Sequence, residues 1–134
     1  FSRNIFRNDP KMYYTDSKAQ AILSLAMFYN YHHVVSPLHA VFFCLVLTHA
    51  EQIESQNLCR EMWSDVDYVL ASEDPLRIFS SIFSRHQEVI QKYGRFPHRN
   101  EILGRESTTD EVRFLDENPD AWFVKYLKRT EPGS

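Results

Sequence analysis

The side chains able to do chemistry gather in two places. From Tyr93 to Ser107 the chain reads YGRFPHRNEILGRES, which places Arg95, His98, Arg99, Asn100 and Arg105 close together, punctuated by Gly94, Pro97 and Gly104. The guanidiniums stay charged and present planar forks matched to carboxylates and phosphates. A solvated loop has no need of the interleaved Phe96, Ile102 and Leu103, and a core has no need of arginines. Converging beside the rings of Tyr93 and Phe96, these groups read as a candidate anion pocket. The competing reading pairs the arginines with Glu51, Glu101 or Glu106, or with helix-end carbonyls.

The second place is a pair of helical seams that turn polar. Leu38, Phe42, Leu45, His49, Gln52 and Gln56 follow one another at spacings of four and three, and Leu76, Phe79, Phe83, His86, Ile90 and Tyr93 repeat the pattern. A buried imidazole or amide left without a partner costs about 1–3 kcal/mol, so His49, Gln56 and His86 require a network. One seam histidine alone is most simply a core imidazole bonded to a neighbour. Glu51, beside His49, makes His49–Glu51 the candidate catalytic acid–base pair, with Arg95 and Arg99 stabilising developing negative charge. His49-x-Glu51 lacks the i, i+4 spacing of a helical zinc motif, so no metal is assigned. There is no glycine-rich phosphate loop, and no cofactor is implied. Cys44 and Cys59 lack Cys-x-x-Cys spacing, lie in apolar helical patterns and read as buried reduced thiols of an intracellular protein.

Helices must carry these groups, because helical spacing dominates and strand signals are almost absent. A first helix is expected from the N-cap Asp16 to about Tyr31, with Ala19, Ile22, Leu23, Ala26 and Tyr29 or Asn30 inward. Ser36-Pro37 opens a second. Thr48 with Glu51 fits a capping box, which splits the long run after Ser36 into two helices. The later one turns Gln52, Cys59, Met62, Trp63, Val66 and Val69 or Leu70 inward. A helix from Pro75 to Tyr93 stops at Gly94 and, with a second apolar face of Ile78, Ile82 and Val89, is central. Ser107-Thr108 with Glu111 caps a short helix through Leu115, and Ala121 to Leu127 forms a last amphipathic turn or two. Phe42, Phe43, Phe79 and Phe83 read as core.

At 134 residues with a formal net charge of −3, the chain suits one all-helical domain over 1–130 with a tail at 131–134. Such a balance does not suggest nucleic acid as a partner. The longest apolar run, Ala40 to Leu47, falls far short of the ~20 residues of a membrane span. The chain opens on Phe1 without a signal peptide and reads as part of a longer protein.

FSRNIFR at the start, HAEQIESQ from His49 and HQEVIQKYGRFPHRNEILGRES from His86 resemble the signatures of domain-of-unknown-function family 924. Arg3, Asn4 and Arg7 match the first; His49, Glu51 and Gln56 the second; His86, Arg95, His98, Arg99, Asn100 and Arg105 the third. Ser2 departs from the family's usual proline and Ala50 from its usual serine. The resemblance implies an all-α fold, an antiparallel bundle or TPR-like array, whose N-terminal helices precede this chain. It implies no activity, and adds Arg3, Asn4 and Arg7 as donors for the same site. Residues and resemblance together point to a binding or scaffold module. Its internal site of Arg3, Asn4, Arg7, His49, Gln56, His86, Arg95, His98, Arg99, Asn100 and Arg105 would take an anionic small molecule or a partner's acidic group, and the domain could serve as a subunit of a larger assembly. The alternative is a hydrolase or transferase using His49 and Glu51.

Overall fold

The structure is a computed structural model and describes residues 2–6 and 9–119, with Arg3 and Asn4 described by their backbone alone. All regular structure among these residues is helical: α1 (Ser2–Ile5), α2 (Asp16–Phe28), α3 (Pro37–Thr48), α4 (Ile53–Val69), α5 (Ile78–Tyr93) and α6 (Thr109–Glu117), with single 3-10 turns at Pro10–Tyr13, Tyr31–His33, Pro75–Arg77 and Pro97–Arg99. None of the described helices is long and apolar enough to cross a membrane. The chain forms two compact units, one of residues 14–95 and one of residues 1–13 with 96–134. The turn expected over Ala121 to Leu127 lies outside the described residues.

In the 14–95 unit, α3, α4 and α5 pack around Val41, Cys44, Leu47, Cys59, Trp63 and Phe83, and α2 joins through Leu23. Trp63, Phe79 and Phe83 form a ring cluster with centroids 5.2–6.1 Å apart. The Trp63 Nε1–H donates to Ser80 Oγ at 2.7 Å, and Ser80 donates to Asp67 at 2.9 Å. Arg77 completes the end of α4, donating to the carbonyls of Asp67, Leu70 and Ala71 and pairing with the Asp67 carboxylate at 3.3 Å. The Leu70 carbonyl, at the C-cap, is one of those a helix end leaves without intrahelical partners, and Ala71 lies just past it. Gly94 ends α5 at φ +69°, its N–H bonded to the Ile90 carbonyl, a conformation that side chains disfavour.

Several expected elements differ in detail. Asp16 is the first residue of α2; its N-cap is Thr15 and α2 ends at Phe28, with Asn30 left-handed after it. Ser36 occupies the N-cap of α3 with Pro37 behind it, but its hydroxyl bonds His39 Nδ1 at 2.7 Å. The chain does break after Thr48, yet without a capping box: the Thr48 hydroxyl donates to Gln56 Oε1 and α4 starts at Ile53. The buried face of α3 is Ala40, Val41, Cys44, Leu47 and Thr48, so Leu38 and Phe42 face outward, as do Ile22 of α2, Tyr29 at its C-cap, Gln52, Val69 of α4 and Ile78 of α5. The α3 stripe misled because its residues are apolar all round; size and spacing do not then select which face meets a neighbour.

In the other unit, the Ser2 hydroxyl donates to the Met12 carbonyl at 3.1 Å, holding α1 against its 3-10 turn. Thr108 caps α6 by the full capping box with Glu111, as its sequence requires.

Candidate functional site

Within the 14–95 unit, His49 stands at the end of α3 and His86 in the middle of α5, with ring centroids 5.6 Å apart and planes at 85°. Each Nδ1 lies against the carbonyl one turn earlier, Leu45 for His49 and Ile82, at 2.7 Å, for His86. A carbonyl only accepts, so Nδ1 carries the proton in both rings. In the neutral form Nε2 is then the basic nitrogen of each. Two imidazoles held in the same tautomer thus stand on facing helices, each with Nε2 as its second nitrogen.

Gln56 is 1% exposed. Its Nε2 donates to the carbonyls of Thr48 and Ala50, both at 2.8 Å, and its Oε1 accepts from Thr48. The amide thus satisfies the end of α3 and fixes the link 49–52 beneath His49. Gln87, missed by sequence reasoning, bridges α5 to α4 by donating to Asn57 at 2.8 Å; its position beside His86 at the buried face was the available signal. Cys44 and Cys59 are buried and each thiol donates to the other's carbonyl. The hydrogen bond to Cys44 and then burial push the Cys59 thiol far above its ordinary range, the opposite of what a thiolate nucleophile needs. Arg95, half-buried, belongs to this unit.

The other unit holds His98, Arg99, Asn100 and Arg105. Phe96 is extended, as a residue before proline must be, and Pro97 opens the 3-10 turn that ends at Arg99. Gly104, at φ +64°, closes the following turn: its N–H bonds the Glu101 carbonyl and the Arg105 N–H bonds the Asn100 carbonyl at 2.8 Å, the paired bonds of a Schellman motif. Arg99 is thereby 6% exposed, its guanidinium 4.4 Å from the Phe96 centroid and 4.8 Å from that of Tyr13. Each ring contact is worth about 0.5–2 kcal/mol. Rings against the guanidinium leave its in-plane N–H edges as the directions for hydrogen bonding. His98 lies 5.6 Å from Phe96, ring to ring, and Arg105 donates to the Phe96 carbonyl at 3.3 Å.

Asn100 is 1% exposed. Its Nδ2 donates to Ser107 Oγ at 3.0 Å and to Glu111 Oε2 at 3.3 Å, while Glu111 Oε2 also accepts the Thr108 N–H at 2.8 Å. The Asn100 Oδ1 is buried and has no hydrogen-bond partner among the described residues. Tyr13, Ser107 and Glu111 were absent from the expected site. Tyr13 is distant in sequence and carried no signal; Glu111 was read only as a cap. The side chains of Arg3 and Asn4, and all of Arg7, lie outside the described residues. No group of three or more histidines, cysteines and carboxylates able to hold a metal occurs among the described residues.

A family of bacterial proteins of unknown function, DUF924, matches over residues 1–119, and the chain belongs to it. It is similar to a solved protein of unknown function from Agrobacterium tumefaciens, with 34% identity and a TM-score of 0.72 over 87% of this chain. The match spans 61% of that relative's chain. No curated protein matches.

Proposed function

We propose that this DUF924 chain is a binding module, a helical array of TPR-like kind, whose polar site is built on Arg99 and Asn100 and takes a carboxylate or phosphate. The group would belong to a small molecule or to a partner's side chain. Arg99 supplies the charge and a planar edge for two oxygens; Asn100, fixed through Ser107 and Glu111, sets the loop that aims it. His98 and Arg105 belong to the same loop, and Arg3, Asn4 and Arg7 are further candidate donors.

The observation that carries the reading is the buried guanidinium set against two rings beside a buried amide whose Oδ1 has no partner among the described residues. An oxygen left so costs about 1–3 kcal/mol. A guest supplying a hydroxyl or ammonium donor alongside its anionic oxygens would remove that cost. Hydroxy-carboxylates, amino acids and singly protonated phosphates meet the requirement. Thermal-shift measurements with these and with chloride as control test it, on wild type and Arg99→Lys. Stabilisation that Arg99→Lys abolishes is expected, because lysine keeps the charge and loses the planar edge. Failure of every anion to raise the melting temperature, or equal shifts in both proteins, would contradict it.

A second reading has its own observation. The shared tautomer of His49 and His86 suits proton transfer in a hydrolase or transferase, with His49 as base and His86 in the role first given to Glu51. A hydrolytic activity lost in both His49→Gln and His86→Gln and retained in Glu51→Gln would favour it.

A further inference from the structure

From Ala19 to Ala50 the chain holds no aspartate, glutamate, lysine or arginine. Charged residues make up 25% of the sequence, so these 32 residues would ordinarily carry about eight. The stretch covers α2 from Ala19 onward, the 3-10 turn at Tyr31–His33 and all of α3. A fully buried hairpin would account for it, but this one is buried on one side only. Leu23 enters the core from α2, and Val41, Cys44 and Leu47 enter it from α3. Elsewhere on the hairpin, Ile22 and Leu25 of α2 with Tyr29 at its C-cap lie at i, i+3 and i+7, and Leu38 and Phe42 of α3 lie at i and i+4. Residues 22–42 hold eight large apolar side chains that are 55–79% exposed. Scattered exposed apolar residues are ordinary. A charge-free hairpin with an outer apolar stripe on each helix has instead the composition of an interface core, where charged residues are depleted and aromatic residues enriched.

We infer that the outer face of α2 and α3 is the contact between two copies of this chain. Charge selects the occupant. A partner of different sequence is steered and chosen by complementary charge, and a membrane surface is held by lysines and arginines around an apolar face; the hairpin offers neither. A surface that meets its own copy about a two-fold axis is self-complementary, and charges of one sign brought together there would repel; this surface has none. Area agrees. At roughly 100–150 Å² of exposed surface each, the eight side chains present about 1,000 Å² a side, and a standard interface takes about 800 Å² a side. Two hairpins face to face set the α2 stripe of each copy against the α3 stripe of the other, a four-helix layer with Phe42 as an anchor. The contact uses no residue of the Arg99 loop, so it stands or falls apart from the anion site.

Sedimentation equilibrium of the full-length gene product tests this on wild type, Phe42→Glu and Tyr68→Glu. Tyr68, 90% exposed on α4, stands outside the hairpin. A dimer mass at micromolar concentration is expected for wild type and for Tyr68→Glu. A two-fold contact carries each substitution twice, so Phe42→Glu is expected to raise Kd at least about 100-fold, with an unchanged circular dichroism spectrum because Phe42 faces outward. A separate preparation carries benzoylphenylalanine in place of Phe42 in mixed nitrogen-14 and nitrogen-15 chains. After irradiation, mixed-isotope adducts from position 42 to residues 22–42 are expected, and this readout holds whether or not Phe42→Glu folds. A monomer mass throughout the micromolar range, or a dimer that survives Phe42→Glu in a folded chain, would overturn the proposal. So would the absence of mixed-isotope adducts, or adducts that fall within one chain, on another protein or outside the hairpin.

Discussion

Replacing Gln56 by methionine separates the two roles that a buried seam amide can hold. The side chains are similar in volume, so packing survives and polarity alone is lost. The structure gives the cost. The carbonyls of Thr48 and Ala50 each lose a donor at 2.8 Å, and the Thr48 hydroxyl loses its acceptor. Thr48 is fully buried and Ala50 is 2% exposed, so water does not readily replace the amide. Three groups at about 1–3 kcal/mol each, with partial relaxation of the link 49–52, give a loss of about 3–5 kcal/mol. Against a total of about 5–15 kcal/mol that is a large fraction. With about 3–5 °C per kcal/mol for a chain of this size, the melting temperature falls by roughly 10–20 °C. Urea unfolding followed by circular dichroism measures the loss, and a midpoint shift without a change in slope would place it in the folded state. A Gln56→Met protein within 0.5 kcal/mol of wild type would refute the clamp assignment. Loss of anion binding in such a stable variant would return Gln56 to the ligand site.

Other outcomes follow from single contacts. Ser80→Ala removes the acceptor of the Trp63 N–H and is expected to cost about 1–2 kcal/mol with a shift in tryptophan emission, read by fluorescence-monitored unfolding. Thr108→Ala breaks the capping box, costs about 0.5–2 kcal/mol and raises amide exchange in residues 109–112, measured by hydrogen–deuterium exchange. Because the Cys59 thiol is raised in the folded chain from its ordinary value of 9.0, the folded state holds a proton that the unfolded state releases. Its contribution to stability is therefore complete below about pH 9 and declines as pH rises further, by up to about 1.4 kcal/mol per pH unit. Unfolding curves at pH 8, 9 and 10 on wild type and Cys59→Ala check this, the variant being expected to decline less.

Local signals in the chain were legible where a residue's chemistry acts on its own backbone. Ser36-Pro37 started a helix, Gly94 stopped one, and Thr108 with Glu111 capped one. The same rule failed at Thr48, because a competing partner, Gln56, lies in the next helix and takes the hydroxyl. The inward face of α3 was not legible because α3 is apolar on every side, and choosing among Leu38, Val41 and Phe42 requires knowing its neighbours. In the 14–95 unit, types and spacing placed His49 and His86 on helical seams, and their rings do stand 5.6 Å apart. The tautomer lock comes from backbone carbonyls one turn away, which any helix supplies. Arg99 and Asn100 were legible as a dense polar stretch; Tyr13 beneath Arg99 was not, since a ring far away in sequence joins the site only through the fold.

The central claim is that Arg99 meets the anion. The arginine Nε–Hε signals of a nitrogen-15-labelled protein, followed by NMR as a hydroxy-carboxylate or phosphate is added, test it most directly. Arg99, held by the rings of Phe96 and Tyr13, is expected to show a ring-shifted resonance that moves along a saturating curve and is absent from Arg99→Lys. A resonance that stays in place through the titration, whether the anions bind elsewhere or bind nowhere, would contradict the account.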